Sequence, residues 1–160
     1  IAFLRNAMLK MKNTVTVILP LLFLLCTSCF GLFDSGSDQI VGDYYTLWID
    51  EHSNRSISLK INDEGSYTQV ISEYVYSVGH NDDYIIAKQH PKPDRFAENV
   101  NTKNTKFYII DIKNSDEFVQ KVFEFSDEKS FNKRLKEINA ENIQFNLNYP
   151  ENPANAIFSY

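Results

Sequence analysis

The stretch SISLKINDEGSYTQVISEYVYSV, residues 56–78, contains two strand patterns separated by a turn. In residues 56–61 every second side chain is apolar, which is the period-2 pattern of a strand with one buried face. Residues 62–65, NDEG, are turn formers, and the glycine is free to adopt positive φ. Residues 66–78 are rich in β-branched and aromatic side chains, with polar residues on both faces and a predicted break near Ser72. We therefore expect neighbouring antiparallel strands.

Strand patterns also occur on both sides of this stretch. They cover residues 43–50, 84–89, 106–113, 118–125 and 142–148. Residues 84–89 begin with a continuous apolar run, which predicts a strand covered on both faces. Residues 118–125 also fit a helix, and a strand is favoured. Asp111 is expected either at the end of its strand or paired with a neighbouring residue.

One helix is predicted over residues 127–139, late in the chain. Ser126 is the expected N-cap, and a narrow apolar stripe runs along one face of the helix. The predicted fold class is α+β, a mainly antiparallel sheet of six to seven strands with this helix packed on it. The alternative is a barrel-like all-β domain with a peripheral helix.

The first 28 residues have the features of a bacterial signal peptide. Arg5, Lys10 and Lys12 precede an apolar run at residues 15–25. This run is about half of the roughly 20 residues that a membrane-spanning helix needs. A start at Met11 gives a signal of conventional length, so we expect residues 1–10 to be an over-extended reading frame. The alternatives are an ordinary cleaved signal peptide and an N-terminal membrane helix.

The sequence CTSC at residues 26–29 resembles a lipobox, the processing site of bacterial lipoproteins. Small Thr27 and Ser28 precede Cys29, although Cys26 stands where the family usually has an aliphatic residue. The resemblance implies that Cys29 carries a diacylglyceride thioether and an N-acyl chain such as palmitate. Two or three acyl chains hold a protein on a membrane, whereas one holds it only marginally.

These features predict three segments: a signal peptide at residues 1–28, a lipidated tether at 29–42 and a single β-rich globular domain at 43–160. Residues 1–28 contain three of the 16 basic residues and none of the 21 acidic ones, so the remaining 132 residues carry a net charge of −8. This charge argues against nucleic acid as a partner. Both cysteines precede the predicted domain, which excludes a disulfide framework within it.

Catalytic and metal-binding patterns are weak throughout the chain. His80, Asp82, Asp83 and His90 bracket one predicted strand, but its extended length of about 20 Å separates the two histidines too widely for one metal ion. The paired acids of the turns are interpreted as turn formers. No phosphate-binding loop and no serine nucleophile motif occurs. We therefore predict no catalytic residue, no metal site and no cofactor.

Four aromatic residues form the candidate binding surface. We expect Tyr44, Trp48, Tyr74 and Tyr76 on one exposed sheet face, because rigid aromatic rings provide contact area for proteins or glycans at low entropic cost. The alternative is that these rings lie beneath the helix.

The runs NDDYIIAKQHP at residues 81–91 and KFYIIDIK at 106–113, followed by the helix that contains Phe131, resemble an uncharacterised family of small bacterial lipoproteins. The resemblance covers roughly residues 43–138 and implies a β-rich domain in the cell envelope, facing outward from the cytoplasm into the periplasm or at the cell surface. The expected function is a non-enzymatic binding module that is anchored to the membrane through Cys29. The alternatives are a structural lipoprotein and a small envelope hydrolase or other enzyme, which a pocket joining His90, Asp82 and Asp111 would favour.

Overall fold

The computed structural model describes residues 34–62, 65–92, 100, 102–116 and 119–150. The predicted signal peptide and Cys29 lie outside the described residues, as does the last part of the predicted domain. Nine strands and one α-helix occur in the described part, all within the unit Ser35–Tyr160. They are β1 (Ser35–Val41), β2 (Tyr44–Ile49), β3 (Ser56–Lys60), β4 (Tyr67–Ile71), β5 (Val75–His80), β6 (Tyr84–Gln89), β7 (Lys106–Asp111), β8 (Val122–Phe125), α1 (Glu128–Glu137) and β9 (Leu147–Asn148).

The strands form two antiparallel sheets. The first sheet has the order β1-β2-β3-β4, and the second has the order β8-β7-β6-β5-β9. The predicted α+β class is confirmed, and the barrel-like alternative is wrong because the described strands form two open sheets. The expected count of six to seven strands is too low. The two additional strands are β1, which lies in the predicted tether, and a second strand from residues 66–78, which form β4 and β5 instead of one strand.

The break near Ser72 divides those two halves between the sheets. β4 ends at Ile71 in the first sheet, and β5 begins at Val75 in the second. Tyr74 lies between them with a φ of 72°, a conformation that bulky residues rarely adopt. The predicted break is confirmed, and it is the point at which the chain passes from one sheet to the other.

A hydrophobic core joins the two sheets. Its buried residues from the first sheet are Ile40, Tyr44, Ile57, Leu59 and Ile71, and those from the second sheet are Val75, Val78, Ile85, Ala87, Tyr108 and Ile110. In β2 the inward-facing residues are Tyr44, Thr46 and Trp48, which alternate with less buried neighbours. The two sheets are thus held together by side chains that the period-2 pattern directs to one face of each strand.

A second core lies on the other face of the second sheet, beneath α1. Phe131 of α1 is 2 % exposed and packs with Ile86, Phe107 and Ile109. Successive residues Ile85 and Ile86 of β6 enter different cores, and each is fully buried. The prediction that this strand is covered on both faces is confirmed.

β1 corrects the prediction of a flexible tether for residues 35–41. Gly36 allows the indole of Trp48 to approach closely, since a Cβ at this position would lie 2.6 Å from the indole nitrogen. Ile40 is 5 % exposed in the core, and Asp38 pairs with Arg55 at 2.6 Å. These contacts hold a mostly polar segment as a strand, although its composition is that of a linker.

The N-terminus of α1 also differs from the expectation, because its cap is Asp127 rather than Ser126. The carboxylate of Asp127 accepts a hydrogen bond from the Ser130 backbone N–H at 2.9 Å. That bond lowers the pKa of Asp127, because it favours the charged carboxylate. Among the described residues no helix is long and apolar enough to cross a membrane.

Candidate functional site

A polar cleft of about 630 Å³ opens between the two sheets, at the end of the sandwich where β6 ends and β7 begins. This volume is typical of small-molecule sites. Both sheets and the link between them contribute polar side chains. The residues that define the polar cleft are Gln69, Ser72, Glu73, Gln89, Lys92, Lys106, Tyr108 and Glu124.

The amide of Gln89 forms the floor of the polar cleft. Gln89 is 3 % exposed. Its Nε2 donates to Ser72 Oγ at 2.8 Å, to Ser72 O at 3.0 Å and to Glu73 O at 2.9 Å. Its Oε1 accepts a hydrogen bond of 2.7 Å from the hydroxyl of Tyr108. These bonds fix the orientation of the amide and attach the link between the sheets to β6 and β7.

Tyr108 lies beside two acceptors. Its hydroxyl is 2.7 Å from Gln89 Oε1 and 3.2 Å from Glu124 Oε2. Burial raises the pKa of Tyr108, and the negative charge of Glu124 raises it further. The phenol therefore stays protonated at neutral pH and acts as a hydrogen-bond donor, not as a general base.

The rim of the polar cleft carries charges of both signs. Lys106 Nζ lies 2.6 Å from Glu124 Oε1, and both side chains are partly exposed. Lys92 Nζ lies 5.0 Å from the centre of the Tyr74 ring, within the range of a cation–π contact. The positive φ of Tyr74 therefore occurs beside the cleft, and such strained residues cluster at functional sites.

This arrangement is suited to binding a polar ligand. Amide, hydroxyl, carboxylate and ammonium groups face one cavity, and hydrogen bonds already fix the orientation of the groups at its floor. Within the described ranges no three His, Cys, Asp or Glu residues are placed to hold a metal ion.

The structure does not bring the four predicted aromatic residues onto one exposed face. Tyr44 and Trp48 lie on the inward face of β2 and are 5 % and 8 % exposed. The Tyr44 hydroxyl donates to Gln120 Oε1, and the Trp48 ring packs against the His52 ring at a tilt of 31°, with centroids 3.8 Å apart. The expected exposure of these two is wrong because the first sheet needs this face for its core. The helix does not cover them either, since it packs on the second sheet.

Tyr74 and Tyr76 are half-buried near the end of β6. The ring of Tyr76 stacks on His90 with centroids 4.2 Å apart, and its hydroxyl lies 2.9 Å from Thr105 Oγ1. Tyr74 contacts Lys92, which lines the polar cleft. Of the four predicted aromatics, Tyr74 therefore has the most direct relation to the cleft.

The acidic and histidine residues considered for a hydrolase lie at different ends of β6. Asp82 precedes the strand, Asp111 pairs with its first residue, and buried His90 follows its last. Asp111 lies at the end of β7 and pairs with Lys121 at 3.4 Å, as its sequence context predicted. Burial raises the pKa of Asp111, but hydrogen bonds from Asn114 and Lys121 outweigh burial and lower it. No described pocket joins the three residues.

The polar cleft was not predicted from the sequence. Its floor residues Ser72, Gln89 and Tyr108 and its rim residue Glu124 come from different strands and links. The available signal was a polar glutamine at the end of an otherwise apolar strand. That signal is weak, since strand ends are often polar.

A family model described as protein of unknown function (DUF3997) matches residues 41–150. This region includes every residue of the polar cleft. No curated protein and no solved structure matches the chain.

Proposed function

This chain belongs to the DUF3997 family of proteins of unknown function, and from that premise we propose that it is a lipid-anchored binding protein of the bacterial cell envelope, with the polar cleft as its ligand site. Its domain faces outward from the cytoplasm, and binding involves no catalysis. The observation that carries this proposal is the hydrogen-bonded floor of the polar cleft, formed by Gln89 and Tyr108.

A prearranged floor favours binding, because the side chains that contact the ligand lose little conformational freedom. Gln89 is already held by Ser72 and Glu73, and Tyr108 is held by Gln89. Because Gln89 donates to Ser72 and Glu73 and Tyr108 donates to Gln89, the floor offers a ligand oxygen lone pairs in fixed positions, which suit recognition better than proton transfer.

The ligand class that fits best is a saccharide of the envelope. Hydroxyl groups donate and accept hydrogen bonds, so they match a cavity in which carboxylates, ammonium groups and an amide lie together. The ring of Tyr74 adds a flat apolar surface at the rim, next to Lys92. A protein partner is the less suitable occupant, because the centres of protein interfaces are depleted in charged groups.

The binding proposal is tested by titrating the full-length chain, in detergent micelles, with the oligosaccharides that a glycan array identifies. The variants Lys106→Met and Glu124→Gln each remove one partner of the rim ion pair. We expect each to weaken saccharide binding at least tenfold, since one charge-assisted hydrogen bond contributes roughly 1.5–3 kcal/mol.

The matched controls are Lys133→Met and Glu137→Gln, which alter an exposed ion pair on α1. These variants should bind like the unmodified chain. Thermal unfolding of all four variants separates a lost ligand contact from a lost fold. No saturable saccharide binding by the unmodified chain, or equal losses in rim and control variants, would contradict the proposal.

Membrane attachment needs its own experiment. The lipid is proposed on Cys29 because the apolar run of residues 15–25 and the small residues before Cys29 resemble a lipoprotein processing site. Cells expressing the full chain are labelled with radioactive palmitate. The variant Cys29→Ser should lose the label and leave the membrane fraction, whereas Cys26→Ser should retain both. If the Cys29→Ser variant keeps the label, Cys29 is not the lipidated residue and this part of the proposal is wrong.

A further inference from the structure

We propose that the opposite end of the sandwich holds a second ligand site, which binds a small organic cation with an apolar body. The inference goes beyond the proposed function, because it concerns different residues and a different ligand class. The site is a pocket of about 480 Å³. We call it the end pocket and define it by Val41, Tyr44, Leu59, Ile61, Ile112 and Gln120.

The end pocket forms where turns from both sheets diverge. Gly42 and Asp43 connect β1 to β2, Ile61 follows β3, and Asp82 lies in the turn between β5 and β6. The segment after β7, which includes Ile112, closes the remaining side. The cavity is thus built by the fold itself, and its volume falls within the range of roughly 300–1,000 Å³ that ligand sites occupy.

Its walls leave apolar surface uncovered. Ile61 continues the inward series of Ile57 and Leu59, yet it is 37 % exposed. The described residues therefore cover Ile61 only in part, and a ligand with an apolar body would bury more of it.

The charges around the end pocket favour a cation. Asp43, Asp82 and Asp116 line it, and Lys60 is the only basic residue among the lining residues. The local formal charge is therefore −2, in a chain whose net charge is −5. Carboxylates accept hydrogen bonds but do not donate them, so they match an ammonium group and repel an anion.

Two donors at the inner end of the pocket are already engaged. The Tyr44 hydroxyl donates to Gln120 Oε1, and Gln120 Nε2 donates to the carbonyl oxygen of Asp116. Burial raises the pKa of Tyr44, so its hydroxyl remains neutral. With these donors engaged, a ligand that brings its own N–H donors is complementary to the pocket.

An alkylammonium ion has the required chemistry. The end pocket is recessed and of small-molecule size, so we assign it to a free amine. A lysine side chain presented by a peptide carries the same group, and the experiment separates the two sources.

The test is equilibrium dialysis of the full-length chain in micelles with radiolabelled hexylammonium, hexanol or hexanoate. These three probes share one hydrocarbon chain and differ in the charge of the head group, and a radiolabelled lysine-containing peptide is dialysed in the same way. Uptake by empty micelles is subtracted. Saturable binding is expected for hexylammonium, with at least tenfold weaker binding of hexanol and none of hexanoate. The double variant Asp43→Asn with Asp82→Asn should weaken hexylammonium binding at least fivefold.

The matched control removes two charges at the opposite end of the first sheet. Asp50 and Glu51 are exposed there, and the φ of 66° at Asp50 also suits asparagine. The double variant Asp50→Asn with Glu51→Gln should bind hexylammonium normally. For the apolar wall, Ile61→Ser should weaken binding several-fold, whereas Ile49→Ser, at another exposed isoleucine, should not.

Each remaining outcome would overturn the inference. Absence of saturable hexylammonium binding removes the site, and equal binding of hexanol removes the cation preference. If the two double variants lose the same affinity for hexylammonium, the effect comes from the overall charge of the protein and not from the end pocket. Binding of a lysine-containing peptide without binding of the free amine replaces the small molecule with a protein partner. The rim variants of the polar cleft should bind hexylammonium normally, so failure of one proposal is distinguishable from failure of the other.

Discussion

The guanidinium carbon of Arg55 lies 3.9 Å from the centre of the Tyr149 ring. Arg55 is 5 % exposed, and its Nη1 donates to Asp38 at 2.6 Å and to Thr46 at 3.0 Å. The Tyr149 hydroxyl lies 3.2 Å from the same Thr46 hydroxyl. This cluster connects β1 and β2 of the first sheet to the residue that follows β9 of the second sheet.

Substitutions of Tyr149 test how far this cluster stabilises the fold. Tyr149→Phe should lower the free energy of unfolding by about 1 kcal/mol, because it removes one hydrogen bond. Tyr149→Ala should lower it by about 3 kcal/mol, because the ring beneath Arg55 is lost as well. Urea denaturation measures both. Equal effects of the two variants would show that the ring contact contributes nothing.

Gly79 should tolerate no side chain. A Cβ there would lie 2.1 Å from the backbone oxygen of Gln144, which cannot move without shifting the chain before β9. Gly79→Ala should therefore destabilise the protein by about 3 kcal/mol or more, the upper range for overpacking. The comparison is Ser58→Ala, which only shortens a side chain in β3. A Gly79→Ala variant as stable as this comparison would contradict the close approach.

Phe131 should be the residue of α1 that matters most for stability. The centroid of its ring lies 5.1 Å from the ring centroid of Phe107 and 6.0 Å from that of Phe125. Phe131→Ala should cost roughly 3–5 kcal/mol, and Phe131→Leu clearly less, because leucine refills part of the cavity. Thermal and chemical unfolding give the two values. If both variants unfold like the unmodified protein, the helix does not depend on this core.

Asp111 should make stability depend on pH in the acidic range. Its pKa is lower in the folded protein than the ordinary value of 3.8. A lowered folded-state pKa means that the stabilisation is complete above the unfolded pKa and is lost as pH falls through the folded one. The stability difference between the unmodified protein and Asp111→Asn should be largest above about pH 5 and shrink below it. A stability difference that grows as the pH falls would contradict a lowered pKa of Asp111 in the folded protein.

The strands were predictable where the local apolar pattern decides them. β2, β3 and β6 follow their apolar patterns closely, because those patterns are fulfilled within a single strand. β1 was not predictable, because its strand conformation depends on Trp48 and Arg55, which lie outside it. Alternation separates the two faces of β2, but it does not reveal which face is covered when both carry bulky residues. Tyr44 and Trp48 were misplaced for that reason.

The polar cleft was beyond sequence reasoning for a related reason. Its residues lie on separate strands and converge only after the two sheets pack. Gln89 and Tyr108 are ordinary strand residues until register places them next to Ser72 and Glu124. No spacing within the chain encodes such a site.

β1 occupies an edge of the first sheet, and β2 is its only paired neighbour there. A force applied to the chain on the N-terminal side of Ser35 therefore acts on β1 before it reaches any other described element. Peeling it away would remove Gly36 from the indole of Trp48, the single tryptophan of the chain. A mechanical pull on the N-terminal side would then be visible as a change in tryptophan emission while the remaining strands stay paired.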